Sequence, residues 1–302
     1  MTGRLALATL ALAAPAAADV PGRISASVQA GGGWASDIFL GAGAGDNGFA
    51  QVVPAARLDL ALAPAWKLSA LGEIYYGTYR PSGFTTLSEW GGMEGRFLPG
   101  EPWELSLAAS LEHAGYSQGA PLDPGLVASP TVTAASGWRV APAARLRAAG
   151  WEWRASVSLA GRRSTAEGQA VHERITAVAA SAFRPLGRRL DLTLAGRGSR
   201  SDSARPDFAH QAATLLAGAG ARVLEQGRLE ATVQVQLASF DTSTRERLLR
   251  LTLAASHPLW EGVDLEGAWS LVDSASDDPS RPSASRQVVL LGLTGRTGSL
   301  TW

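Results

Sequence analysis

Three short segments carry residue types at spacings that could do chemistry. Gly115-Tyr116-Ser117-Gln118-Gly119 has the G-x-S-x-G form of a nucleophile elbow. That device needs a strand, a sharp turn lifting the serine hydroxyl towards a histidine, and a helix after it. Asp207 with His210, or His257, follows in the right order, but APLDPGLVASP comes next and its three prolines start no helix. Ser117 therefore reads as a polar loop tip, and hydrolysis through it ranks third among the functions considered below. Gly43-Ala44-Gly45-Asp46-Asn47-Gly48 fits the dinucleotide fingerprint, which works by opening a helix onto a pyrophosphate. The sequel FAQVVPAARLDLAL is a strand containing a proline, so this segment reads as a flexible loop. Asp273, Asp277 and Asp278 in DSASDD offer clustered carboxylates of the kind calcium favours, yet read more simply as a solvated loop. Catalytic residues, a metal site and a cofactor are thus not expected, and the chain is not read as an enzyme.

The elements that must hold these segments show a period of two almost from end to end. Trp103, Leu105, Leu107, Ala109 and Leu111 alternate with Glu104, Ser106, Ala108, Ser110 and Glu112. Leu229, Ala231, Val233, Val235 and Leu237 alternate with Arg228, Glu230, Thr232, Gln234 and Gln236. A helix turns each side chain by about 100° and mixes such sets, whereas a strand sorts them onto two faces. Fourteen segments of this kind are expected, over 22–35, 48–62, 66–79, 85–98, 102–115, 130–147, 151–163, 169–184, 188–200, 209–224, 228–240, 245–257, 261–273 and 285–302. Within 245–257, RERLLRLTLAA also fits an amphipathic helix. In the last segment strict alternation back from Trp302 puts Arg296 on the apolar face, and a bulge at Gly298 restores the register.

Connections alternate between tight turns, such as Ala63-Pro64-Ala65, Pro99-Gly100-Glu101 and Pro185-Leu186-Gly187, and longer polar links at 36–47, 80–84, 116–129, 164–168, 201–208, 241–244 and 274–284. Short turns on one rim, longer loops on the other and an even strand number place both termini on the short-turn side. Residues 1–18 read as a secretory signal peptide, with Arg4 in a basic start, an apolar run from Leu5 to Ala14 and small residues Ala16-Ala17-Ala18 before Asp19. Residues 19–302 then form a single domain. Equal numbers of basic and acidic residues (27 each) give no reason to expect a nucleic-acid partner, and the absence of cysteine excludes disulfides and thiolate metal sites. Beyond the signal no apolar run reaches the length of a transmembrane helix.

Alternation alone does not separate a soluble sandwich from a membrane barrel. Strands of ten or more residues suit a tilted bilayer crossing better than a soluble sheet. Trp66, Trp103, Trp151, Trp153 and Phe183 lie near tight turns, and Trp34 and Tyr76 near long links, as interfacial girdles require. The chain also ends on Leu300-Thr301-Trp302. In these features it resembles bacterial outer-membrane β-barrels, whose last strand commonly ends in an aromatic residue read by the barrel-assembly machinery. In size and strand count it is similar to the monomeric fourteen-strand porins. The resemblance implies an all-β antiparallel transmembrane barrel in the outer membrane of a Gram-negative bacterium. It makes Trp302 the assembly signal, and the lipid bilayer, the assembly machinery and small solutes the partners. Outer-membrane lipid hydrolases place a serine two residues after a histidine; His113, His172, His210 and His257 are followed there by Gly115, Arg174, Ala212 and Leu259.

With the apolar face outward, Arg139, Arg145, Arg147, Arg154, Arg162, Arg174, Arg184, Arg189 and Arg197 are expected to face the lumen from strands six to nine. Glu73, Glu94, Glu104, Glu112, Asp264 and Glu266 are expected to face it from strands three to five and thirteen. By the porin resemblance such opposed rings would set a transverse field orienting polar solutes. The alternative is a ladder of neighbouring charges, for example Glu152 with Arg145 or Arg147, that satisfies itself. The expected function is a passive or weakly selective channel for small polar or anionic solutes. Its rival is a non-conducting barrel serving export, anchoring or surface assembly.

Overall fold

The computed structural model describes residues 20–36, 46–121, 130–223, 226–278 and 283–301. The signal peptide, Trp302 and residues 43–45 of the glycine-rich fingerprint at 43–48 lie outside the described residues. All strands belong to one antiparallel sheet: β1 (Gly22–Ala35), β2 (Asn47–Ala63), β3 (Trp66–Arg80), β4 (Thr85–Gly100), β5 (Trp103–Pro121), β6 (Thr131–Ala148), β7 (Trp151–Ala166), β8 (Gln169–Leu186), β9 (Leu190–Ser203), β10 (His210–Val223), β11 (Gly227–Phe240), β12 (Arg245–Trp260), β13 (Val263–Ser276), β14 (Ala284–Arg296) and β15 (Leu300–Thr301). Each strand pairs with its sequence neighbour, and β14 pairs with β1 over Ser27–Ala35, which closes the sheet. β15 resumes the line of β14 against Arg23 and Ile24, so the barrel has fourteen staves. Closure leaves no open edge, the only way for a sheet to cross lipid. Among the described residues no helix is long and apolar enough to cross a membrane.

The expected segments and the observed strands agree closely, including the ambiguous 245–257, which is strand β12. Between β14 and β15 the pairing with β1 shifts by one residue: Arg296 faces Ser27, but Leu300 faces Ile24. The irregular stretch spans Gly298, and Thr297 holds it by bonds to Ala26. β5 departs from expectation. It runs to Pro121 instead of ending near 115, with a register shift against β6 between Gly115 and Ala120. Ser117 thus lies inside a strand, where its Oγ accepts the Thr85 backbone N–H at 2.8 Å.

Inside and outside follow from which side chains meet across intervening strands. Arg154 on β7 reaches Glu94 on β4 at 3.4 Å, and Gln29 on β1 reaches Glu266 on β13 at 2.7 Å. Side chains converge in this way only on the concave face of a curved sheet. The opposite face presents Leu107, Leu111, Leu215, Leu253 and Leu291 to the surroundings, with Leu215 68% exposed and Leu111 64%. In water each such leucine would forgo about 1.5–3 kcal/mol of burial; against lipid nothing is lost. Trp66, Trp103 and Trp153 mark the short-turn rim of this face, and Trp34 and Tyr76 the long-loop rim, as girdles should.

The seam between β1 and β14 depends on one close approach. A Cβ built on Gly33 would lie 1.8 Å from the carbonyl oxygen of Val289. Only glycine permits the two backbones to meet there.

Candidate functional site

The lumen is the concavity these strands enclose. Fourteen staves at about 4.8 Å spacing and about 40° tilt give a backbone radius of about 14 Å, wider than the eight-strand barrels that side chains alone fill. Near mid-height several inward positions are small or hydroxylated, Ala108, Ala141, Ser156, Ala179, Thr214 and Thr232 among them, with the longer Glu94 and Arg197 standing beside Ala108 and Ala179. At the long-loop end the inner wall changes character. Phe240, Leu248, Val272 and Ala238 form one packed cluster, Val132, Ala166, Val171 and Phe208 a second, and Phe84 and Ala120 with Tyr79 and Tyr116 a third. In the loop between β9 and β10, Arg205 lies over the Phe208 ring at 5.1 Å and bonds Asp207, which raises its pKa above the ordinary value.

Pairing registers show which way each expected lumen residue faces. Arg139, Arg145, Arg147, Arg154, Arg162, Arg197, Glu73, Glu94, Glu104, Glu112, Asp264 and Glu266 all fall on the inward set. Three do not. Arg174 is a Cα partner of Gly161 and Asp202, and Arg184 of Leu192, which puts both on the outward set. Arg184 stacks over the outward Trp151 ring at 5.3 Å. Arg189 sits in the turn between β8 and β9, its carbonyl bonded by Arg222. The expectation failed here because charge is costly only along the apolar band, and both rims of the outer face tolerate it.

The inward charges assemble chiefly as ladders. Arg145 contacts Glu104 and Glu152, each at 3.1 Å, and Arg147 contacts Glu152 at 3.5 Å. Arg162 makes paired bonds of 2.8 and 2.9 Å to Glu173, which also receives the Ser201 hydroxyl at 2.9 Å. Arg228 bridges Asp191 and Glu230, and Arg296 bonds Asp264. Sequence reasoning missed the partners Glu173, Ser201 and Asp191. Glu173 on β8 had no alternation strong enough to orient it, since both faces of that strand are alanine-rich.

Among the described residues the motif segments do not assemble the sites their spacing suggested. The Ser117 hydroxyl is engaged by Thr85, His113 faces outward opposite Glu89, and His210 bonds the Phe208 carbonyl. Asp277 accepts the Arg245 backbone N–H and Asp273 faces outward, so the three loop carboxylates do not converge. Among the described residues no group of three metal-ligating side chains forms.

A closed fourteen-strand barrel with an apolar belt and two aromatic rims is the fold of bacterial outer-membrane β-barrels. No protein-family model matches the chain, and no curated protein sequence does. Solved structures share the fold at low identity. An in-vitro folded, trimeric OmpT, an outer membrane protein of Vibrio cholerae, has a TM-score of 0.55 at 7% identity, covering 93% of this chain and 99% of that one. A deltaS2S3 mutant of the TodX monoaromatic hydrocarbon channel has 0.55 at 7%, covering 92% and 90%. The toluene transporter TodX of Pseudomonas putida has 0.50 at 7%, covering 91% and 89%.

Proposed function

We propose that the barrel is a passive, weakly selective channel for small polar or anionic solutes. The observation that supports this reading is the width of a fourteen-strand barrel together with a mid-height wall in which small and hydroxylated inward residues such as Ala108, Ser156 and Thr232 alternate with charged ones. Most inward charges are paired, so their fields largely cancel and the transverse field suggested by the porin resemblance is weak. Arg139, exposed and without an ion pair among the described residues, and Arg147, with 60% of its side chain exposed, favour anions, against the inward Glu73 and Glu112, which also make no ion pair among the described residues. A hydrocarbon path like that named for TodX gains no support from the apolar loop-end clusters. Their members are buried against one another and offer a solute little surface.

Planar-bilayer recording of the refolded barrel tests the proposal. Wild type should conduct, and Ala108→Trp with Thr232→Trp, from nearly opposite walls, should reduce single-channel conductance to less than half. No current from wild type would favour the anchoring or export reading. Unchanged conductance in the double variant would refute the assigned path.

A further inference from the structure

The outward face carries charge that a lipid-facing belt does not need. On β7, β8 and β9 the long-loop ends turn Arg163, Arg174 and Arg200 outwards. Arg163 pairs with His172 and Arg174 with Asp202, so the three arginines step diagonally across adjacent strands, about 7–8 Å per step. Arg163 and Arg174 make no ion pair or side-chain hydrogen bond among the described residues, while Arg200 holds Asp202 at 2.7 Å. Trp138 lies across Gly161, the Cα partner of Arg174, where an added Cβ would come within 2.5 Å of its indole nitrogen.

Three strands further round, β12 turns Arg245 and Arg247 outwards at the same end. Their side chains are likewise unpaired among the described residues. From β9 to the end of β13 the outer wall bears a shallow, open depression of about 730 Å³, lined in part by Gly198, Gln211, Ala213, Leu237 and Ser239. Asp202, Asp241, Asp273 and Asp277 are the outward or loop acidic groups bordering this stretch, Glu246 also lines the hollow, and Asp277 accepts the Arg245 backbone N–H.

Height identifies what meets these groups. Ten to twelve residues separate Arg163, Arg174 and Arg200 from the short-turn rim, and thirteen to fifteen separate Arg247 and Arg245. At about 3.4 Å rise and about 40° tilt, this puts the first three about 26–31 Å and the last two about 34–39 Å above that rim, beyond an apolar band about 25 Å tall. The first three therefore stand at headgroup level in the outer leaflet, with the last two above them. Like charges on diagonal neighbours repel, and a shared anion relieves them; guanidinium matches phosphate with two parallel hydrogen bonds.

We infer that this face binds a phosphorylated lipid of the outer leaflet, its headgroup phosphates held by the arginines and an acyl chain laid in the hollow. The inference is independent of whether the lumen conducts.

Native mass spectrometry of the full barrel in detergent tests it, with lipid A, dephosphorylated lipid A and inorganic phosphate as probes. Lipid A should bind at least tenfold more tightly than its dephosphorylated form. Arg163→Gln, Arg174→Gln and Arg200→Gln together should remove most of that preference, as should Arg245→Gln with Arg247→Gln. A second variant, Leu237→Trp, fills the hollow without changing charge and should weaken both lipids alike. Equal binding of the two lipids by wild type overturns the inference without reference to any variant. So does displacement of lipid A by an equal concentration of inorganic phosphate, which would make this a free-anion site. Self-association of wild type that the arginine variants abolish would assign the face to a second copy and also overturn it.

Discussion

The ion pair between Arg162 and Glu173 should respond asymmetrically to truncation. The Glu173 side chain is fully shut off from solvent (0% exposed), whereas Arg162 keeps 19% exposure towards the lumen. Arg162→Ala strands a buried carboxylate with one remaining donor, the Ser201 hydroxyl at 2.9 Å. Breaking a buried pair from that side costs about 3–5 kcal/mol. Glu173→Ala instead frees a guanidinium that can swing into lumen water, so its cost should fall to about 1–2 kcal/mol, that of lost hydrogen bonds alone. Arg162→Met with Glu173→Leu removes both charges and should lie closer to wild type than Arg162→Ala does. Guanidinium unfolding of the barrel in phospholipid vesicles, followed by tryptophan fluorescence, measures all three. If Glu173→Ala proves as harmful as Arg162→Ala, or if both lie within about 0.5 kcal/mol of wild type, the reasoning from one-sided burial is wrong.

Other perturbations separate the two faces, the seam and the selectivity. Leu215→Arg at the exposed centre of the lipid face should cost about 2–4 kcal/mol in the same unfolding assay, while Thr214→Arg, one residue away and inward, should be tolerated. Gly33→Ala forces the β1 and β14 backbones apart, since the obstructing atom is the Val289 carbonyl. It should cost at least about 1–3 kcal/mol and lower the temperature at which the barrel loses its compact band in detergent gels. Deleting Trp302 should lower outer-membrane yield while export across the inner membrane continues; an unchanged yield counts against a terminal assembly signal. Arg139→Glu with Arg147→Glu should move the reversal potential in a salt gradient towards cations, and less so at high salt.

Most of the barrel was legible because lipid outside and water inside impose opposite demands on successive residues. That alternation located the strands to within a few positions and predicted the one-residue offset around Gly298. It weakened wherever one side of the contrast was missing. In β8, alanines on both faces left Arg174 and Arg184 without an apolar stripe to oppose, and charge alone was taken to mean lumen. In β5, residues beyond 115 rise past the bilayer, where no lipid enforces the pattern, and only hydrogen bonding keeps them extended. Gly33 is a different case. Nothing in its neighbours' chemistry announces the backbone it must meet, because Val289 is 256 positions away in the chain.

The candidate site was legible as a set of inward charges but not as a set of bonds. Alternation assigns a side chain to a face; it does not say which carboxylate an arginine on that face will reach. Curvature decides this, by bringing Arg154 on β7 to Glu94 on β4 across two strands. The same curvature limits selectivity. A guanidinium on a concave wall has several acidic neighbours within reach, and a paired charge projects a field that falls off faster than a lone one. A strongly selective pore of this construction would need arginines isolated from carboxylates on both flanking strands. Arg139 approaches that condition, with Ser110 and Ala160 as its Cα partners. Arg145 does not, because Glu104 stands directly opposite it. Under the proposed channel function, ion preference should follow a few inward positions such as Arg139, and substituting paired residues should change stability before it changes ion preference.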